Sequence, residues 1–187
     1  MVCELKVLIV AQARSGSTSL LRAIGYSSDL MIINEPFRDS PTTGSTLADD
    51  YKLLKDTDNI VVKIVGNWFY RMEELSDPNT LFSMFDKVIG LTRNNTEETT
   101  KSYLVASHFN SWRKGQKAHK LSEEEYKKII SDKYEEQLED VKKIQSEIKS
   151  FNIEQFTYEG LFIDKTELDA IEKYLGFEIR SYIQGNF

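Results

Sequence analysis

With one cysteine, Cys3, the chain cannot form an internal disulfide, and Cys3 reads as an apolar strand residue. The only two histidines, His108 and His119, have no second ligand at helical spacing and read as surface residues, not as a base or metal ligands. No apolar run approaches the ~18 residues of a membrane span. With the first strand beginning almost immediately after Leu5, we expect no leader of charged, apolar and small residues. These absences lead us to expect a cytoplasmic protein without a membrane span. Positive charge is also scarce, with 24 Lys and Arg against 30 Asp and Glu and a net charge of −6. That balance argues against a nucleic-acid partner, whose phosphates demand an excess of basic residues. A few convergent donors can still hold a small anion on an acidic protein.

What is present is an ordinary globular composition, 40% hydrophobic and 11% aromatic in 187 residues, which is one domain's worth of core over residues 1–187. Strand-like and helix-like segments alternate. Lys6 to Val10, Leu30 to Ile33, Asn59 to Val65 and Lys87 to Thr92 read as strands, with Phe156 to Tyr158 as a short later one. Ser17 to Ile24 reads as a helix with Leu20, Leu21 and Ile24 on one face, and Lys165 to Leu175 as a last helix stopped by Gly176. One long helix is predicted from Ser122 to Lys149, with an apolar stripe from Tyr126 through Ile129, Ile130, Tyr134, Leu138, Val141 and Ile144 to Ile148. Ser122 and Glu125 form a capping-box pair at its start, and Leu121 is set to pack on Tyr126. Its Glu and Lys residues read as a solvated face. The segment Asp39 to Thr46 is a loop, either lying over a ligand or simply connecting. The alternation predicts an α/β protein of three layers, a mainly parallel sheet flanked by helices on both faces.

The stretch Val10-Ala11-Gln12-Ala13-Arg14-Ser15-Gly16-Ser17-Thr18 breaks an apolar strand into small and hydroxylated residues around one arginine. Backbone N–H groups at the following helix start, with the helix dipole, favour a phosphate or sulfate, and Arg14 and the hydroxyls add donors. Ligands of open parallel sheets bind at the carboxyl ends of the strands. Arg14 follows the first strand, Glu35 the second and Arg93 the fourth, while Lys63 lies late in the third. Three cations and one carboxylate on one edge suit a site that holds an anionic donor and deprotonates something beside it. A nucleotide kinase fits poorly. Its phosphate loop, G-x-x-x-x-G-K-[ST], needs a second glycine and a lysine where this chain has Gly16 alone and Ser17, and no acidic residue closes the fourth strand to hold Mg²⁺.

Three stretches resemble the sulfotransferases that use 3′-phosphoadenosine-5′-phosphosulfate (PAPS), particularly their carbohydrate and bacterial glycolipid branches. Arg14-Ser15-Gly16-Ser17-Thr18-Ser19-Leu20 is similar to the family's 5′-phosphosulfate loop. Leu91-Thr92-Arg93 with Ser102 is similar to its 3′-phosphate motif. Phe156-Thr157-Tyr158-Glu159-Gly160-Leu161, with Ile171 to Phe177, is similar to its late Tyr-Glu-x-Leu segment. The chain departs from the pattern in having Ser19 where Trp or Leu is frequent, Arg14 where many cytosolic members have Lys, and an interval of nine residues from Arg93 to Ser102.

The resemblance implies a fold like that of the P-loop nucleotide kinases and sulfuryl transfer from PAPS to a hydroxyl of a small-molecule or glycan acceptor, with no metal required. Arg14, Ser15, Gly16, Ser17, Thr18 and Ser19 would hold the 5′-phosphosulfate, and Arg93 and Ser102 the 3′-phosphate, with Tyr158 and Glu159 buttressing the site. Glu35, in Asn34-Glu35-Pro36-Phe37, would be the general base, with Pro36 holding it extended; the alternative is a salt bridge to Arg14 or Lys63 with no catalytic part. Lys63 would touch the sulfuryl group or orient Glu35, or would be an edge-strand lysine. Trp68, Phe69 and Trp112 are core residues or an acceptor wall. A kinase-like phosphotransferase and an inactive module that binds PAPS or its product, adenosine 3′,5′-bisphosphate, stay open as alternatives.

Overall fold

The computed structural model describes residues 4–37, 46–66, 77–109, 122–131 and 133–183. In chain order the elements are β1 (Lys6–Ala11), α1 (Ser17–Ser28), β2 (Met31–Asn34), α2 (Leu47–Asp56), β3 (Ile60–Val65), α3 (Pro78–Phe82), β4 (Lys87–Thr92), α4 (Thr96–His108), α5 (Glu123–Ser131), α6 (Tyr134–Ser150), β5 (Glu154–Thr157), a π-turn (Glu159–Ile163), α7 (Leu168–Leu175) and α8 (Arg180–Ile183).

Every residue of β1 from Val7 to Ala11 is buried, on both faces of the strand. Such a strand is stable only inside a sheet covered on both sides. Among the described residues the sheet has five strands in the order β2-β3-β1-β4-β5, all parallel. Val7, Ile9 and Ala11 join Val61, Ile89 and Leu91 against Leu20, Leu21 and Ile24 of α1, Ile171 of α7 and Ile183 of α8. Leu8 and Val10 join Ile60, Val62 and Ile64 on the opposite face, against Leu54 of α2, Leu81 of α3, and Ile144 and Ile148 of α6. The expected three layers are therefore present, and the sheet is wholly parallel among the described strands. No helix among the described residues is long and apolar enough to cross a membrane.

Local chemistry sets the helix starts. Thr46 and Asp49 form a capping box on α2, and Asp77 caps α3 ahead of Pro78. The predicted Ser122–Glu125 box is made, with the Ser122 N–H donating to Glu125 Oε2 at 2.9 Å and the Glu125 N–H to Ser122 Oγ at 3.2 Å.

Several boundaries differ from the sequence reading. The predicted Ser122–Lys149 helix is two helices, α5 and α6. Ser131 turns its hydroxyl back to Lys128 O, and Lys133 leaves helical geometry at φ −137°. Serine and its polar neighbours compete for backbone hydrogen bonds and so tolerate a break. Tyr126 at the head of the expected stripe is exposed, and the buried part of the stripe is confined to Val141, Ile144 and Ile148. α7 starts at Leu168, because Lys165 sits at φ 59°. β5 ends at Thr157, and Tyr158 is already helical. α1 runs on past Ile24 to Ser28. Cys3, Trp68, Phe69, Trp112, His119, Leu121 and nearly all of the Asp39–Thr46 loop lie outside the described residues. His108 is exposed, as expected.

The four-residue α8 is too short to stand by its own hydrogen bonds. Glu172 of α7 holds it. Its carboxylate accepts the N–H groups of Ile179 and Arg180, both at 2.9 Å, and pairs with the Arg180 guanidinium, which also reaches Asp169. The Arg180 hydrogen bonds, then those of the two backbone N–H groups, hold the Glu172 carboxyl below the usual carboxylate range. A lowered folded value means stability that is complete above the unfolded carboxylate value and is lost as pH falls through the folded one. Glu172→Gln should therefore lower the melting temperature by about 3–10 °C at pH 7. The gap to wild type should close in scans toward pH 3; a gap independent of pH would refute the linkage.

Candidate functional site

β1 leads through α1 to β2 on one side of the sheet, whereas β4 leads through α4, α5 and α6 to β5 on the other. Connections that diverge in this way open a crevice beyond the carboxyl ends of β1 and β4. The two strand ends are tied there by the Gln12 N–H, which donates to Leu91 O at 2.9 Å. Arg14 leaves from one strand and Arg93 from the other.

Between β1 and α1 the chain makes a tight turn with Arg14 at φ 64° and Gly16 at φ 78°. Gly16 is the N-cap of α1, so no side chain closes the helix start. Its carbonyl accepts the N–H groups of Ser19 and Leu20, while the first N–H groups of any helix lack intrahelical acceptors and point outward. Ser15 is buried and turns its hydroxyl inward to Gln12 O at 2.6 Å, so it braces the loop. Ser17 is buried and Thr18 exposed. A Cβ on Gly16 would stand 2.9 Å from both Tyr158 Cδ2 and Phe162 Cε2. The late Tyr158 segment thus packs directly on the first loop, which a reading by sequence distance does not reveal.

On the β4 side Arg14 Nε donates to Ser102 Oγ at 2.9 Å, joining the first loop to α4. The nine-residue interval therefore brings Ser102 to the site. Burial, and after it the like charge of Arg93, lower the Arg14 pKa from its ordinary value, while the guanidinium stays protonated. Arg93 lies over the Tyr158 ring, 4.7 Å from its centroid, and pairs with Glu98 Oε2 at 2.8 Å. Its Nε is buried with no hydrogen-bond partner among the described residues. Two crowded arginines, one with an orphaned buried donor, make this crevice electrostatically receptive to an anion.

On the β3 side Lys63 is buried, and its Nζ is 2.7 Å from Glu35 Oε1 and 3.0 Å from Thr18 Oγ1. β3 lies between β2 and β1, which overturns the edge-strand reading of Lys63. Glu35 forms its ion pair with Lys63, which leaves open whether it also acts as a base. Glu35 is not extended as Pro36 suggested. It sits at φ 54°, with its N–H donating to Lys63 O at 2.9 Å. That bond holds Glu35 beside Lys63 against the usual preference of a residue before proline.

Arg14, Ser102, Arg93 and Tyr158 therefore form one group, and Thr18, Lys63 and Glu35 a second, with the 14–18 loop between them. Sequence reasoning missed Gln12, Glu98, Gln145 and Phe162. Gln12 carries a signal, as a polar residue closing an apolar strand, whereas nothing in the residue pattern around Glu98 and Gln145 sets them apart. No protein-family model matches the chain, and the search of curated proteins found no match.

The packing on Gly16 is directly testable. Gly16→Ala puts a Cβ into a left-handed turn and against two rings, and should cost about 1–3 kcal/mol of stability. Sulfate or phosphate should raise the melting temperature of the wild type beyond the general stabilisation these salts give, and Gly16→Ala should abolish that excess. An alanine variant as stable and as anion-responsive as wild type would remove the loop from the site.

Proposed function

We propose that the protein is a PAPS-dependent sulfotransferase, with the sheet of the P-loop nucleotide-kinase-like sulfotransferases, acting on a hydroxyl of carbohydrate or glycolipid type. The observation that carries this reading is the juxtaposition of Arg14, Ser102 and Arg93 across the β1/β4 crevice, beside the Thr18–Lys63–Glu35 chain. It offers separate cationic positions for two anionic groups of one donor and a carboxylate next to the first. The central position of β1 between β3 and β4, with the loop and α1 at its carboxyl end, is consistent with the fold proposed.

PAPS supplies a sulfuryl group on a phosphate that leaves as a stable anion. In this reading Arg14, Lys63 and the N–H groups at the start of α1 face the 5′-phosphosulfate and stabilise the charge that builds on the phosphate side. Arg93, its guanidinium set by the Tyr158 ring, takes the 3′-phosphate together with Ser102. As the acceptor oxygen forms its bond to sulfur and the sulfur–oxygen bond to the phosphate breaks, Glu35 takes the acceptor's proton. Lys63 anchors one carboxylate oxygen of Glu35 and so sets the direction from which the base approaches.

Calorimetric titration separates the possibilities. Adenosine 3′,5′-bisphosphate should bind more tightly than ADP with Mg²⁺, and Arg93→Ala should weaken the bisphosphate by about 10- to 100-fold through the loss of charged hydrogen bonds. Equal or better binding of ADP with Mg²⁺ would replace this reading with a phosphotransferase. Bisphosphate binding without transfer to any hydroxylated acceptor would mark a nucleotide-binding module.

Glu35→Gln should keep bisphosphate affinity while lowering sulfuryl transfer about 10²-fold or more, the scale of a lost general base. Unchanged turnover in a panel of sugar and glycolipid acceptors would reduce Glu35 to a salt-bridge partner of Lys63.

A further inference from the structure

The segment Arg93–Asn95 joins β4 to α4, where backbone groups ordinarily turn to water. Here side chains from three distant parts of the chain hold it. The Arg93 N–H donates to Gln12 Oε1 at 2.8 Å, and Gln145 Nε2 donates to Arg93 O at 2.9 Å. The N–H groups of Asn94 and Asn95 donate to Glu159 Oε2 and Oε1 at 3.0 and 3.2 Å. Gln12 is buried and is itself anchored, its Nε2 donating to Val141 O at 3.3 Å, one turn of α6 before Gln145. Tyr158, whose ring lies under the Arg93 guanidinium, is the immediate neighbour of Glu159. One two-residue segment thus grips both the backbone of the loop and the head group it presents.

We infer that Gln12, Gln145 and Glu159 are positioning residues that preset the Arg93 loop, so that the protein discriminates donors by their second phosphate; this rests on the sulfotransferase reading. Two consecutive N–H groups form a concave donor pair suited to an anion. Glu159 fills that pair, and the anion-binding role of the loop is left to the Arg93 guanidinium. A loop already ordered gives up less conformational freedom when ligand arrives, and a fork held in one orientation rewards a phosphate only at one place. The three residues touch no reacting atom in this scheme; they act through Arg93.

The test is the ratio of affinities for adenosine 3′,5′-bisphosphate and adenosine 5′-phosphate, measured by calorimetry on the full chain. Glu159→Gln sets an amide N–H₂ against a backbone N–H and loses one of the two bonds, whereas Gln145→Met loses the donor to Arg93 O. Each should weaken the bisphosphate about tenfold, the scale of a misplaced binding group, with the monophosphate unchanged within about twofold. Equal weakening of both ligands would show a purely structural role and overturn the inference, as would no weakening of either. If Glu159→Gln does not fold, Gln145→Met alone decides by the same criterion. A wild type that does not favour the bisphosphate would overturn the sulfotransferase reading and this inference together, whereas a wild-type preference that survives both substitutions would overturn this inference alone.

Discussion

The hydrogen bonding of β1 along both its edges constrains everything else in the molecule. Parallel pairing with β3 and β4 sets Ala11 beside Val65 on one side and Leu91 on the other. Three strands consequently end at the same level. Whatever closes or follows them in sequence lies at one edge, which is why Arg14 and Arg93, just past β1 and β4, and Lys63, near the end of β3, come to the same edge although they are scattered through the first half of the chain. The burial of β1 on both faces makes this arrangement hard to alter, since a one-residue slip would carry each of its side chains from one core into the other and undo the packing of both.

On that edge the electrostatics run against the net charge of the chain. An acidic protein concentrates cations where two strand ends meet, and burial makes their mutual repulsion count for more than it would at the surface. Carboxylates temper the arrangement without cancelling it. Glu98 sits on Arg93 from the exposed face of α4, and Glu35 sits on Lys63 from the end of β2. An exposed pair such as Arg93–Glu98 is weak and easily exchanged for a better anion, whereas the Lys63–Glu35 pair is more enclosed and keeps its geometry. In the function proposed, that difference suits one part of the site to capturing the donor and the other to acting on it.

Part of the backbone strain lies in the same place. Arg14 and Glu35 are both held at positive φ, an unfavourable conformation for residues with a Cβ, and Gly16 adopts it between two aromatic rings. The cost is sustained by rigid surroundings: Gln12 and Ser15 brace the loop from beneath, and Lys63 O fixes the Glu35 N–H. Residues in such conformations point their side chains where relaxed loops would not.

Much of this could be read from the residues alone. Apolar runs located β1 through β4 to within a residue, because the central strands β1, β3 and β4 are buried on both faces and carry little besides Val, Ile and Leu, and even the less buried β2 keeps two isoleucines. The small and hydroxylated residues after β1 marked a short turn between strand and helix, which the chain makes with Arg14 and Gly16 at positive φ. The alternation of elements determined the layered α/β class. Helix boundaries were less legible: the break near Lys133 depends on where the chain finds packing partners, and the exposed Tyr126 shows that apolar periodicity does not guarantee a core contact. Only the tertiary structure decided that Lys63 lies inside the sheet against Glu35, that Ser102 reaches Arg14, and that Tyr158 closes on Gly16 and Arg93 at once. Local pattern determines which face of an element is apolar and where the chain turns. The order of strands, and with it which distant side chains become neighbours, follows from packing the whole chain together, and no stretch of sequence carries that by itself.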